Sequence, residues 1–220
     1  MTKHFHFEIE RLKKKILYLA ALVEKSLHNA VKSIMENNPG LAEEVINSDP
    51  DIDALEVEVE EECLKILALH QPVANDLRYI IAVMKINNDL ERIADLAVNI
   101  AERTMIVTQY AGIPIRFDLT TMLEITVGMV KESVDALVDS DADKAREVIQ
   151  NDDSIDELNE EAHRVFQEQI CNHPDLSKYY ISLLSVSKNL ERIADHATNI
   201  AEDVIYMIVG EIVRHQGKSD

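Results

Sequence analysis

Apolar residues recur at intervals of three or four along most of this chain. Leu12, Ile16, Leu19, Leu22, Val23, Leu27, Ala30 and Ile34 form one stripe, and Ile80, Val83, Ile86, Ile93, Leu96 and Ile100 follow the same rule with one turn skipped. That spacing puts the side chains on one side of a 3.6-residue helix and makes that side a core face. Pro39-Gly40, Pro72, Gly112 with Pro114, and Pro174 separate the periodic stretches, and each interval is one helix long. The pattern predicts helices near 5–37, 51–70, 75–109, 117–139, 154–171 and 175–213, with short helical pieces near 41–48 and 142–151. Long helices on short connections pack antiparallel to their neighbours, so the expected fold is all-α.

The chain also repeats itself. Residues 90–102 read Leu-Glu-Arg-Ile-Ala-Asp-Leu-Ala-Val-Asn-Ile-Ala-Glu, and residues 190–202 differ from them only at Leu96/His196 and Val98/Thr198. A weaker echo precedes each copy: Glu44-Val45-Ile46 with Asp49 and Asp53 matches Glu147-Val148-Ile149 with Asp152 and Asp156. Two copies of a three-helix unit are expected, over 1–111 and 112–220.

Composition narrows what such a chain can do. Lys+Arg number 22 against 41 Asp+Glu, a formal charge of -19, which disfavours binding to nucleic acid or an anionic membrane and favours cations or basic proteins as partners. Five Gly, five Pro, no Trp and 5% aromatics argue against a loop-rich or all-β fold. Cys63 and Cys171 make neither a disulfide framework nor a thiolate zinc site, which fits a reducing compartment. Met1 to His6 lack the features of a signal peptide, and no apolar run approaches the roughly 18 residues of a membrane span. A soluble, cytoplasmic protein is expected. The histidines are scattered without HExxH or paired Glu-x-x-His, and GxGxxG, P-loop and GxSxG motifs are missing, so a ferritin-like di-iron core, nucleotide binding and serine hydrolysis have no motif support, while a metalloenzyme built on clustered carboxylates stays open as an alternative. Arg11 with Lys13-Lys14-Lys15 is the one basic cluster, a solvated helix face or a docking patch.

The repeated acids are the feature with chemical content. Glu91, Asp95, Asn99 and Glu102 share an arc of about 80° opposite Leu90, Ile93, Leu96, Ala97 and Ile100, so they point outward. A solvated face would account for them in one helix, yet Glu191, Asp195, Asn199 and Glu202 recur at identical spacing. Counting outward from the turn at Pro72 sets Asp53 level with Glu91–Arg92 and brings Asp49 and Asp53 near Glu91 and Asp95. The turn at Pro174 does the same for Asp152, Asp156, Glu191 and Asp195. Carboxylates at one height repel unless a cation sits among them, and hard oxygen ligands suit magnesium, calcium, manganese or iron better than zinc. Two other readings stay open. Arg92 and Arg192 recur and could neutralise the acids, and Asp49 before Pro50, or Asp152, Asp153 or Ser154, could serve as helix caps.

The doubled Leu-Glu-Arg-Ile-Ala-Asp-x-Ala-x-Asn-Ile-Ala-Glu, with Gln71-Pro72-Val73-Ala74-Asn75-Asp76-Leu77-Arg78 before the third helix, resembles the PhoU family over nearly the whole chain. The resemblance implies two tandem antiparallel three-helix bundles, commonly a homodimer. It implies multinuclear metal clusters at E(D)xxxD motifs, which fall here on Glu91/Asp95 and Glu191/Asp195 with Asp49/Asp53 and Asp152/Asp156 facing them; Asn99, Glu102, Asn199 and Glu202 extend the stripe. It further implies a regulator and not an enzyme: a negative regulator of phosphate uptake and of the phosphate-starvation response, working between a phosphate ABC transporter ATPase and a membrane sensor histidine kinase at the inner face of the membrane. The second copy departs from the first where Asp76-Leu77-Arg78 becomes Leu176-Ser177-Lys178.

Overall fold

A computed structural model describes residues 3–110, 112–115 and 117–210, with the Lys3 side chain left aside. Helix α1 (Lys3–Met35), α2 (Pro39–His70) and α3 (Ala74–Val107) form the first bundle, and α4 (Leu119–Asp139), α5 (Ala142–Gln150), α6 (Asp152–Asn172) and α7 (Ser177–Val209) the second, with single 3-10 turns at Thr108–Tyr110 and Pro174–Leu176. The fold is all-α, two tandem three-helix bundles, with the middle helix of the second broken in two. None of the described helices is long and apolar enough to cross a membrane.

Each boundary has a local cause. Asn38 caps α2 by accepting from the backbone N–H groups of Gly40 and Leu41, with Pro39 at the first helical position, where its missing N–H costs nothing. Gln71, in the left-handed region at φ 46°, closes the same helix. Asp118 and Asp141 cap α4 and α5 through their carboxylates. Gly210, at φ 81°, ends α7 at the conformation glycine tolerates best. The predicted last helix ran to 213, and residues 211–213 lie outside the described residues, as does His215.

Two expectations need correction. The predicted piece 41–48 and helix 51–70 are one helix, α2, with Pro50 inside it. An interior proline forfeits a backbone hydrogen bond and crowds the preceding turn, at about 3 kcal/mol. Here Pro50 is exposed, while Val45, Ile52, Val59, Cys63 and Ile66 are buried along one continuous face that holds the helix together across it. Asp49 is therefore mid-helix and caps nothing. In the second copy the chain does break, at Asn151, but no side chain caps α6, so neither Asp152, Asp153 nor Ser154 has that role.

The most extensive helix contact joins α3 to α7, and α1 also touches α4, so the two bundles share one continuous core. Helices α3 and α7 run antiparallel, since His196 Nδ1 meets Asp89 Oδ1 at 2.8 Å and Lys85 Nζ meets the buried Asp203 at 2.9 Å. The basic cluster on α1 is partly committed to α2, where Lys15 pairs with Glu58 at 2.8 Å and Arg11 with Glu62 at 3.5 Å. Tyr179 ties the linker down by donating to the carbonyl of Ile113 at 3.1 Å.

Ile93 is fully buried beneath the acidic stripe of α3. Ile93→Ala removes its packing and leaves a cavity, so urea denaturation is expected to show a loss of about 2–5 kcal/mol with the helical spectrum retained.

Candidate functional site

Helices α2 and α3 leave the turn at 71–73 side by side, and the level-matching of their acids follows from that geometry. Asp49 lies within electrostatic reach of Asp53 and Asp95, and Glu91 within reach of Asp95, Asp53 and Glu56. The predicted foursome Asp49, Asp53, Glu91 and Asp95 is thus brought together. Partial burial, then the neighbouring negative charges, raises the Asp49 carboxyl above its ordinary range, and its Oδ1 is buried without a hydrogen-bond partner. Glu91 is raised for the same two reasons, opposed by Arg92. The stripe is less open than its helical arc suggests, because α2 covers part of it: the Glu91 side chain keeps 22% of its exposure.

The second groove, between α6 and α7, assembles Asp152, Asp156, Glu191 and Asp195 in the same manner. Partial burial first, then Asp195 and Asp156, pushes Asp152 up to about 6, against a weak hydrogen bond from Thr198 at 3.4 Å. Asp195 is raised by desolvation and by Glu191 and Asp156, with His196 and Lys188 opposing. Two acidic sets stand in corresponding places of the two bundles.

The outer members of the stripe behave differently. Asn199 donates to Asp89 across the α3–α7 seam at 3.4 Å and so faces the other bundle. Among the described residues no polar contact ties Asn99 or Glu102 to the first acidic set, and Glu202 stands two turns beyond Asp195 on α7. The acids also have built-in cations. Arg92 meets Glu91 at 3.3 Å and Asp95 at 3.0 Å, and Lys188 bonds Glu191 at 2.7 and 2.8 Å. The arginine alternative therefore holds in the first copy; in the second the cation is Lys188, and among the described residues Arg192 forms no ion pair. Likewise, among the described residues no three acidic, imidazole or thiol side chains form a ready-made metal cage.

Three participants were not singled out from the sequence. Glu56 belongs to the first set, where it is raised by burial and then by Glu60 and Asp53 while accepting from Asn87 at 2.9 Å. Its position three residues after Asp53 on α2 could have revealed it. Lys188 is visible only as the unlike partner of Asn88 in the repeat. The pair Asp89–His196 explains one of the two differences between the motifs: His196 replaces Leu96 where the antiparallel helix brings Asp89, and the same register sets Leu96 beside Asn189.

Comparison with known proteins agrees with this architecture. The PhoU domain model matches the chain twice, over residues 16–104 and 119–204. The chain is 40% identical over 209 residues to the phosphate-specific transport system accessory protein PhoU homolog of Aquifex aeolicus, covering 95% of each protein. It is 36% identical over 217 residues to PhoU homolog 1 of Thermotoga maritima, covering 96% of this chain and 92% of that one. The crystal structure of PhoU from Pseudomonas aeruginosa superposes with a TM-score of 0.91 at 35% identity, over 94% of this chain and 100% of the other. That of the phosphate transport system regulatory protein PhoU from Streptococcus pneumoniae does so with a TM-score of 0.83 at 28% identity, over 95% and 99%. A doubled three-helix unit, matched in sequence and in fold along nearly its whole length, places the chain in the PhoU family.

Proposed function

We propose that this chain is a negative regulator of phosphate uptake and of the phosphate-starvation response, a helical adaptor that takes up cations in its two acidic grooves. The relatives' names supply the setting, since they are accessory and regulatory proteins of phosphate-specific transport. The partners are the ATPase of the phosphate ABC transporter and a membrane sensor histidine kinase, which would hold a cytoplasmic homodimer at the inner face of the membrane. A catalytic role has less support, because Asp53, Asp156 and Asp195 are exposed and water is hard to exclude from either groove.

The observation that carries the cation reading is the repetition of four mutually repelling carboxylates in both bundles. The donor set fits magnesium, calcium, manganese or iron: all-oxygen, negatively charged, with an orphaned buried oxygen on Asp49. Asp49, Asp53, Glu91 and Asp95 would hold one group of ions and Asp152, Asp156, Glu191 and Asp195 the other. A bound cation would supply positive potential at a face that is otherwise acidic, and Arg92 and Lys188 would have to swing aside to admit it. Those two pairings favour a second reading, a metal-free scaffold whose acids are balanced internally.

Chelation separates the two. If the grooves bind cations, adding manganese or iron(II) to chelator-treated protein raises Tm, with about 2.7 kcal/mol of stabilisation at one hundred times Kd, and combined Asp49→Asn and Asp152→Asn abolishes the gain. An unchanged Tm supports the scaffold.

Without metal, the raised carboxyl of Asp152 makes a pH prediction. Its folded form holds the proton more tightly than the unfolded form, so the penalty for ionising it is absent well below pH 3.8 and complete above about 6. Chelated protein is expected to lose stability as pH rises through that window. Asp152→Asn at pH 7 should recover about 1 kcal/mol after discounting for solvent screening, or a rise of about 2–4 °C in Tm by calorimetry.

In cells, deleting the gene is expected to switch on phosphate-responsive genes in phosphate-rich medium. Unchanged transcript levels would refute the regulatory assignment.

A further inference from the structure

Away from the acidic grooves, the outer seam between α1 and α2 opens into a groove of about 730 Å³. Its lining is mixed: Leu22 on α1 and Ile52 and Leu55 on α2 supply the apolar part, Lys25, Asn47 and Ser48 stand among the polar groups, and Tyr18 at the N-terminal end of its α1 wall is 60% exposed. Ser26 lies in its wall, and the Ser26 hydroxyl is buried with no hydrogen-bond partner. From Tyr18 to Asn29 the groove follows α1 for roughly 17 Å, the length of about three helical turns.

The rim has a period. Glu44, Asp51 and Glu58 follow one another at intervals of seven residues along α2, so they line one edge of the groove about 10 Å apart. Seven is the interval at which two packed helices present matching positions to each other, and charges at such flanking positions select a partner of opposite sign. Glu58 already pairs with Lys15. Among the described residues Glu44 and Asp51 form no ion pair, although both flank a surface that a single small ion would not fill.

We infer that this groove docks an amphipathic helix of a partner protein, with apolar side chains on one face and a Lys or Arg every seventh residue to meet Glu44 and Asp51. Three acids against the single Lys25 in the lining set the sign of the partner, the heptad spacing of the rim selects a helix, and Tyr18, Leu22 and Leu55 provide the apolar area to bury. The inference rests on the adaptor reading only in supposing that a partner exists. It can fail while the transcriptional response to deletion stands.

The test uses purified full-length protein and a fluorescent three-heptad peptide carrying leucines on one face and arginine at every seventh position. Fluorescence anisotropy is expected to show saturable binding, weakened about tenfold by Glu44→Lys with Asp51→Lys and also by Tyr18→Ala. Glu157→Lys with Glu160→Lys on exposed positions of α6 changes net charge equally and should leave affinity within about threefold. A peptide of the same composition with its arginines moved off the seven-residue register should bind correspondingly less. Circular dichroism melts confirm that each variant is folded. Equal losses for the two charge-reversed pairs would reduce the effect to bulk electrostatics and overturn the proposal, as would no binding to the unaltered protein.

Discussion

The antiparallel packing of α3 on α7 is the constraint from which the other features follow. Each of these helices gives one face to its own bundle and another to its twin, so only a narrow arc is left for anything else. The acids of the motif occupy the part of that arc beside α2 or α6. Because α3 packs on α2 and α7 on α6, the acidic sets lie in separate grooves and do not merge into one. The seam is partly polar: Asp203, 1% exposed, is held by Lys85, and Asp89 is shared by His196 and Asn199. Pairings of this kind fix register, since sliding one helix by a turn would strand a buried carboxylate, at a cost larger than any one apolar contact returns.

Charge then becomes an organised quantity. A formal -19 spread evenly would only keep the molecule soluble and push its parts away from one another. In this fold, several acids are concentrated where partial burial, and then like charge, raises their proton affinity, at Asp49 and Glu91 in one groove and Asp152 and Asp195 in the other. Others sit on the α2 rim with an open groove behind them. Repulsion tolerated in the folded state signals either an internal counter-charge or an external one, and the structure contains instances of the first in Arg92 and Lys188.

Most of the architecture was legible in the sequence because helical periodicity and a near-identical repeat both act over long stretches, where errors average out. The core positions Leu12, Ile16, Ile86 and Ile93 are fully or almost fully buried, as their spacing requires. What escaped was local or tertiary. Pro50 reads as a helix start, and only the packing of Val45 and Ile52 on the same core overrides it. Asn199 reads as a member of the acidic stripe, yet its partner Asp89 lies 110 residues away in the chain, and nothing on α7 itself announces that contact. Lys188 and Glu56 lie outside what the two copies share, since Asn88 and Asn159 hold the corresponding positions.

Those unshared residues argue that the two grooves are not equivalent. The first includes Glu56, held by Asn87, whereas the matching pair in the second bundle is Asn159 and Ser187, neutral and hydrogen-bonded at 2.7 Å. Its counter-ion Arg92 pairs with both Glu91 and Asp95, while Lys188 bonds Glu191 and acts on Asp195 only at longer range. The first groove therefore adds Glu56 and bridges two of its acids with a single guanidinium, whereas the second adds Asp153 beside Asp152 and sets Lys188 in an ion pair with Glu191 and within electrostatic reach of Asp195. Duplication of the sequence has thus produced two acidic grooves that differ in the groups balancing their charge.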